Sequence, residues 1–155
     1  MAQKLKLLAV GKLKSGFWKQ AADHYRHRIA KYYSLREILI RDAPGHLPPE
    51  ERSRRESAEL RKKCDPQDRI ICLDQRGAAL SSEAFAKRLG QWLEQPASPC
   101  FILGGAFGLD PELIQAADSS LSLSPMTLPH ELSRVLIMEQ IFRAATINWG
   151  HPYHH

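Results

Sequence analysis

The chain is poor in cysteine and has no long apolar run. Its three cysteines, Cys64, Cys72 and Cys100, form no CxxC pair and no zinc-like spacing. That excludes a disulfide framework and a zinc module. It fits a reducing compartment, with Cys72 and Cys100 expected as buried strand thiols and Cys64 near a helix end. The most apolar stretch, Val135–Met138, is far too short to cross a bilayer. The first ten residues carry Lys4 and Lys6 inside their apolar run and no small-residue cleavage site, so they do not read as a signal peptide. A cytoplasmic protein without membrane contact is expected. Also missing are GxGxxG, a Walker A loop and a GxSxG elbow. Their absence argues against a dinucleotide oxidoreductase, a P-loop enzyme and a serine hydrolase.

What is present is an ordinary globular balance: 155 residues, 43% hydrophobic and 25% charged. One domain over residues 1–155 is expected, with a core that needs no staples. The net charge of +5 is unevenly placed. From Met1 to Tyr33 stand Lys4, Lys6, Lys12, Lys14, Lys19, Arg26, Arg28 and Lys31, opposed by Asp23 alone. From Ile70 onward acids outnumber bases. A one-sided basic lobe is the footprint of a polyanion binder, although a solvated basic helix fits the same charges.

Hydrophobic periodicity gives strands at Leu5–Val10, around Leu35, Ile38 and Ile40, at Arg69–Asp74, at Pro99–Leu103 and around Leu121 and Leu123. It gives helices over Phe17–Tyr33, Glu50–Lys63, a segment capped by Ser81, Pro111–Ala117 and Glu131–Trp149. The Glu50–Lys63 segment is so charged that a solvated face or mobile arm is expected. Strict alternation of strand and helix implies an α/β fold, a mainly parallel sheet with helices on both faces. The last helix has almost no polar side, so it is buried on two sides. The second cover is either a partner subunit or the basic N-terminal helix.

Ligands of open parallel sheets bind beyond the carboxyl ends of the strands. Three such ends carry loop chemistry: Leu73–Gly77, the glycine loop Gly104–Gly108, and the proline-broken Leu123–His130. Glycines let a backbone approach a ligand, yet an isolated glycine loop is also a plain tight turn. The third loop offers a stiff apolar wall with unladdered backbone groups, which suits an adenine edge. Together they suggest a nucleoside-like ligand. The terminus Asn148–His155 adds three histidines to His130. It reads as an RNA-contacting tail or as a frayed end. No carboxylate or thiol is interspersed, so no metal site is expected.

Phe101–Leu109 (FILGGAFGL), Leu121–Ala144 (LSLSPMTLPHELSRVLIMEQIFRA), the ending NWGHPYHH and the opening Lys4–Lys14 (KLKLLAVGKLK) together resemble the RlmH family. These are SPOUT-class methyltransferases of N3 of a pseudouridine in 23S rRNA. The resemblance implies a C-terminal trefoil knot, a homodimer, S-adenosylmethionine as cofactor and 23S rRNA within the assembled ribosome as substrate. It implies cofactor contacts from Leu73, Gly105 and Ser124, Pro125, Met126, Thr127, Leu128 and Pro129. The substrate-facing catalytic set is expected from Arg134, His151, Tyr153 and His154, with His154 a candidate base and Arg134 an anion contact or a structural ion pair. Two departures from the family pattern stand out: Phe107 replaces a small or acidic residue, and the chain ends His154-His155 rather than with a basic residue. The rival readings are a non-catalytic ribosome- or RNA-binding module and a nucleotide-binding oxidoreductase.

Overall fold

The computed structural model describes residues 2–155. Ten elements alternate: β1 (Gln3–Val10), α1 (Gly16–Ile29), β2 (Tyr33–Ile40), α2 (Pro49–Lys62), β3 (Asp68–Ala79), α3 (Ser82–Leu93), β4 (Ser98–Leu103), α4 (Pro111–Ala116), β5 (Ser119–Ser122) and α5 (His130–Trp149). The five strands form one sheet in the order β2-β1-β4-β3-β5, every pairing parallel. No described helix is long and apolar enough to cross a membrane.

The strand pleat sorts β1 onto two cores. Leu5, Leu7 and Ala9 enter the core shared with α1, α3 and α5. Leu8 and Val10 enter the smaller core with Leu60 of α2 and Leu113 of α4. Cys72 and Cys100 are buried strand thiols in that second core, and Cys64 sits just beyond α2.

Two expectations are revised, and one left open is decided. The first helix stops at Ile29, and Tyr33 begins β2 with its ring buried. The charged α2 is neither a wholly solvated face nor an arm, because Ser53, Glu56, Ser57 and Leu60 are buried along one side. The nearly all-apolar α5 is covered within the protomer: it runs between α1 and α3 and packs on β4. A partner subunit is not needed to explain its composition.

Local chemistry ends the elements that matter most. Ser81 caps α3 by accepting the Ala84 N–H at 3.1 Å. Gly150 ends α5 in the left-handed region, φ 69°. The Gly150 N–H donates to Ile147 O, and the His151 N–H donates to Thr146 O at 2.9 Å. These are the paired bonds of a Schellman motif, and they turn the chain back on the helix.

Candidate functional site

A bulge inside β3, where the sequence suggested a strand end, meets the carboxyl ends of β4 and β5 at a cavity of about 440 Å³. That is the size range of small-ligand sites. Its lining includes Leu73–Arg76, Leu103–Leu109, Leu123, Ser124, Met126–Leu128, and His130 and Ser133 from the start of α5.

Each wall has a local cause. Along β3, Leu73 and Ala78 both register with Leu121, so Asp74–Gly77 bulge out of the ladder. Bulges beside sites re-aim side chains, and this one turns Asp74, Gln75 and Arg76 to the cavity. A Cβ at Gly77 would stand 2.7 Å from the Ser120 backbone, so only glycine fits that crossing. The Gly104–Gly108 wall is closed by a Gly105–Gly108 bridge, with Gly108 at φ +74°. A Cβ at Gly104 would lie 2.6 Å from the Gly108 backbone. On the third wall the Met126 N–H donates to Ser124 Oγ at 2.9 Å, and Thr127 Oγ1 donates to Gln75 Oε1 at 3.4 Å. The only acidic side chain in the lining is Asp74, paired with Arg76 at 3.3 Å.

Of the residues named from the sequence, Leu73, Gly105, Ser124, Met126, Thr127 and Leu128 line this one cavity. Pro125 and Pro129 flank it without lining it. Gly105 contributes backbone, and a side chain there would run into Glu56 Oε1 at 2.9 Å, away from the cavity.

The other named residues lie apart. Arg134 is 2% exposed, and its Nη2 donates to Val10 O and Gly11 O, both at 2.8 Å. Burial pulls its guanidinium below the ordinary arginine value. It holds the end of β1 to α5 rather than forming an ion pair.

The tail is docked, not frayed. His151 bonds the Tyr32 hydroxyl. Tyr153 packs edge-on to Phe142 at 4.7 Å, lies under the Arg143 guanidinium, and donates to Glu139 Oε1 at 3.2 Å. Burial first, then the Glu139 charge, pushes the Tyr153 phenol up to about 12. His154 Nδ1 lies 3.1 Å from Arg143 Nη1, and its Nε2 lies 2.7 Å from Glu83 Oε1. Arginine only donates, so Nδ1 accepts and the Nε2–H donates to Glu83. No tail residue lines the cavity.

Sequence reasoning missed Ser133 of the lining and the polar face of α2 behind the glycine loop. Ser133 sits on a helix read as apolar, and nothing local signals its direction.

A family model described as "Predicted SPOUT methyltransferase" matches residues 3–154. The chain is similar to the "Ribosomal RNA large subunit methyltransferase H" of Maridesulfovibrio salexigens, 44% identical over 153 residues and covering 98% of either chain. The protein of the same name from Desulfovibrio desulfuricans is 46% identical over 154 residues, 97% of each chain. Among solved structures, a probable methylase family protein from Haemophilus influenzae superposes with a TM-score of 0.57 over 97% of this chain and 70% of that one. At 13% identity that likeness speaks to the fold alone. A family match across residues 3–154, with relatives this similar over nearly their whole length, shows that the chain belongs to the SPOUT methyltransferase family.

Proposed function

We propose that the protein is an S-adenosylmethionine-dependent methyltransferase of N3 of a pseudouridine in 23S rRNA, acting on the assembled ribosome in the cytoplasm. One observation carries the reading: the β3 bulge and two strand-end loops meet at one cavity in a chain of this family. The cavity suits the cofactor. Leu73, Leu103, Leu109, Leu123 and Leu128 offer apolar walls for an adenine ring, and Gly104 and Gly105 line the cavity with backbone alone. Asp74 offers a carboxylate to a hydroxyl or ammonium group. When bound, the cofactor supplies an electrophilic methyl group.

The chain's own task is positioning and proton management. N3 must lose a proton and meet the methyl group in line, and orientation supplies much of the gain. His151, Tyr153 and His154 are the substrate-facing set in this reading. With its phenol held neutral, Tyr153 stacks or donates rather than acting as a base. His154 remains the candidate base, and it must release Arg143 to free the Nδ1 lone pair. Arg134, turned to the β1 carbonyls, enters as a positioning residue.

Because the tail lies away from its own cavity, the tail of one subunit is assigned to the cavity of the other in a homodimer. The exposed Met126 at the cavity mouth, 75% accessible, supports a covering partner there. Light scattering should give twice the 17.6 kDa chain mass. A clean monomer at micromolar concentration would refute the shared site.

The function is tested by incubating the protein and tritiated S-adenosylmethionine with ribosomes that lack the modification. Label should enter the 23S rRNA of assembled ribosomes. Tyr153→Ala and His154→Ala should bind cofactor within a few-fold of wild type and lose most transfer. Ribosome binding without any transfer would favour the alternative, a non-catalytic ribosome-binding module.

A further inference from the structure

The face that α2 turns inward is polar where a surface helix normally buries an apolar stripe. Ser53, Glu56 and Ser57, spaced i, i+3 and i+4, are all buried. They face the glycine wall and the residues that follow it. Ser53 Oγ donates to Gly108 O at 3.1 Å. Ser57 Oγ accepts the Asp110 N–H at 2.8 Å. Glu56 accepts the Ala43 N–H through Oε2 at 2.9 Å, while Oε1 backs Gly105, 2.9 Å from where a Cβ there would stand. One residue earlier, the Arg52 guanidinium lies 5.0 Å over the ring of Phe107, the half-exposed residue at the cavity mouth.

Loop backbone groups have no ladder partners and must be satisfied elsewhere. Here α2 satisfies them, one layer behind the cavity and touching none of it. We propose that the Arg52–Ser57 turn of α2 is the positioning element of the glycine loop, holding Gly105, Phe107 and Gly108 where the cofactor meets them. It rests on the reading of the cavity as the S-adenosylmethionine site. It also gives Phe107, the departure from the family pattern, a partner in this chain: Arg52 fixes the aromatic lip that a small residue would not form.

The inference separates loop placement from chemistry. Ser53→Ala removes the bond to the loop at Gly108 and Ser57→Ala the bond that anchors Asp110 just after it, and each should raise both the Kd for S-adenosylhomocysteine and the KM for the cofactor by about tenfold. The kcat at saturating cofactor should stay within about twofold, since uniform binding is what is lost. Ser57→Thr, which keeps the hydroxyl, should restore affinity. Arg52→Leu, at a half-buried position, covers the case in which a serine variant does not fold, and it should raise the Kd in the same direction. Amide hydrogen exchange of Gly104–Gly108 in the ligand-free protein should speed up in every weakened variant. Unchanged exchange there, with the fold intact, overturns the inference whether or not the wild type binds cofactor. Failure of the wild type itself to bind S-adenosylhomocysteine counts against the proposed function instead.

Discussion

Lys6 lies inside β1 with its ammonium 2.6 Å from Asp68, 2.9 Å from Asp65 and 3.1 Å from the Lys63 carbonyl. Burial lowers its affinity for a proton, but the bonds to Asp68 and Asp65 outweigh that and raise it. Lys6 is therefore not part of the basic surface that its place in the sequence suggests. Arg26 is also committed, to Glu37 and Asp23. Lys6→Met leaves the buried Asp68 carboxylate short of its partner and should cost about 3–5 kcal/mol, read from urea unfolding. A loss below about 1 kcal/mol would contradict this account. Tyr33 makes the alkaline counterpart. Burial raises its phenol from 10.0 to about 12. The folded state then keeps a proton that the unfolded chain gives up, so this stability is complete below 10.0 and is lost as pH climbs to about 12. Tyr33→Phe should flatten the alkaline fall in the urea midpoint, and an unchanged slope would sink the assignment.

At the scale of elements, α5 carries the most packing. Met138 at its middle is fully buried. Met138→Ala should cost about 2–5 kcal/mol, measured by thermal or urea unfolding. The two-sided burial of this helix was legible from its composition. Of the two covers left open, the N-terminal helix is the one found, while α3 was not foreseen because it reaches α5 from a distant part of the chain. The opposite holds for α2. Its charge pattern reads as a solvated helix, and its buried serines carry no periodic signal. Polar residues that bury by bonding to a loop look the same in sequence as polar residues facing water. The end of α5 sets the tail. Any residue with a Cβ pays a penalty in the left-handed conformation of Gly150. Gly150→Ala should therefore lower stability by about 1 kcal/mol and loosen the tail. The readout is a fall in methyl transfer with cofactor affinity held, and wild-type transfer would release the tail from its assigned role.

For the whole molecule, element order and the α/β class were legible because strand and helix periods alternate cleanly. The strand order β2-β1-β4-β3-β5 was not, since it depends on registers such as Lys6 with Cys100 that no local pattern encodes. The Asp74–Gly77 bulge was equally hidden, as it arises from two β3 residues sharing Leu121. Periodicity is also silent on the knot that the resemblance implies. The three lining segments could still be named in advance, because parallel sheets place ligand sites at strand ends, although Leu73–Gly77 proves to be a bulge inside β3 rather than a loop beyond it. The central claim is that these three loops form one cofactor site while the tail serves the substrate. The most direct measurement is an amide chemical-shift titration with S-adenosylhomocysteine. The account predicts saturable shifts at Leu73–Arg76, Gly104–Gly108 and Ser124–Leu128 with a single affinity, and little change in the bonds His154 makes to Glu83 and Arg143. Absence of shifts in these three segments, or shifts confined to the basic face of α1, would contradict it.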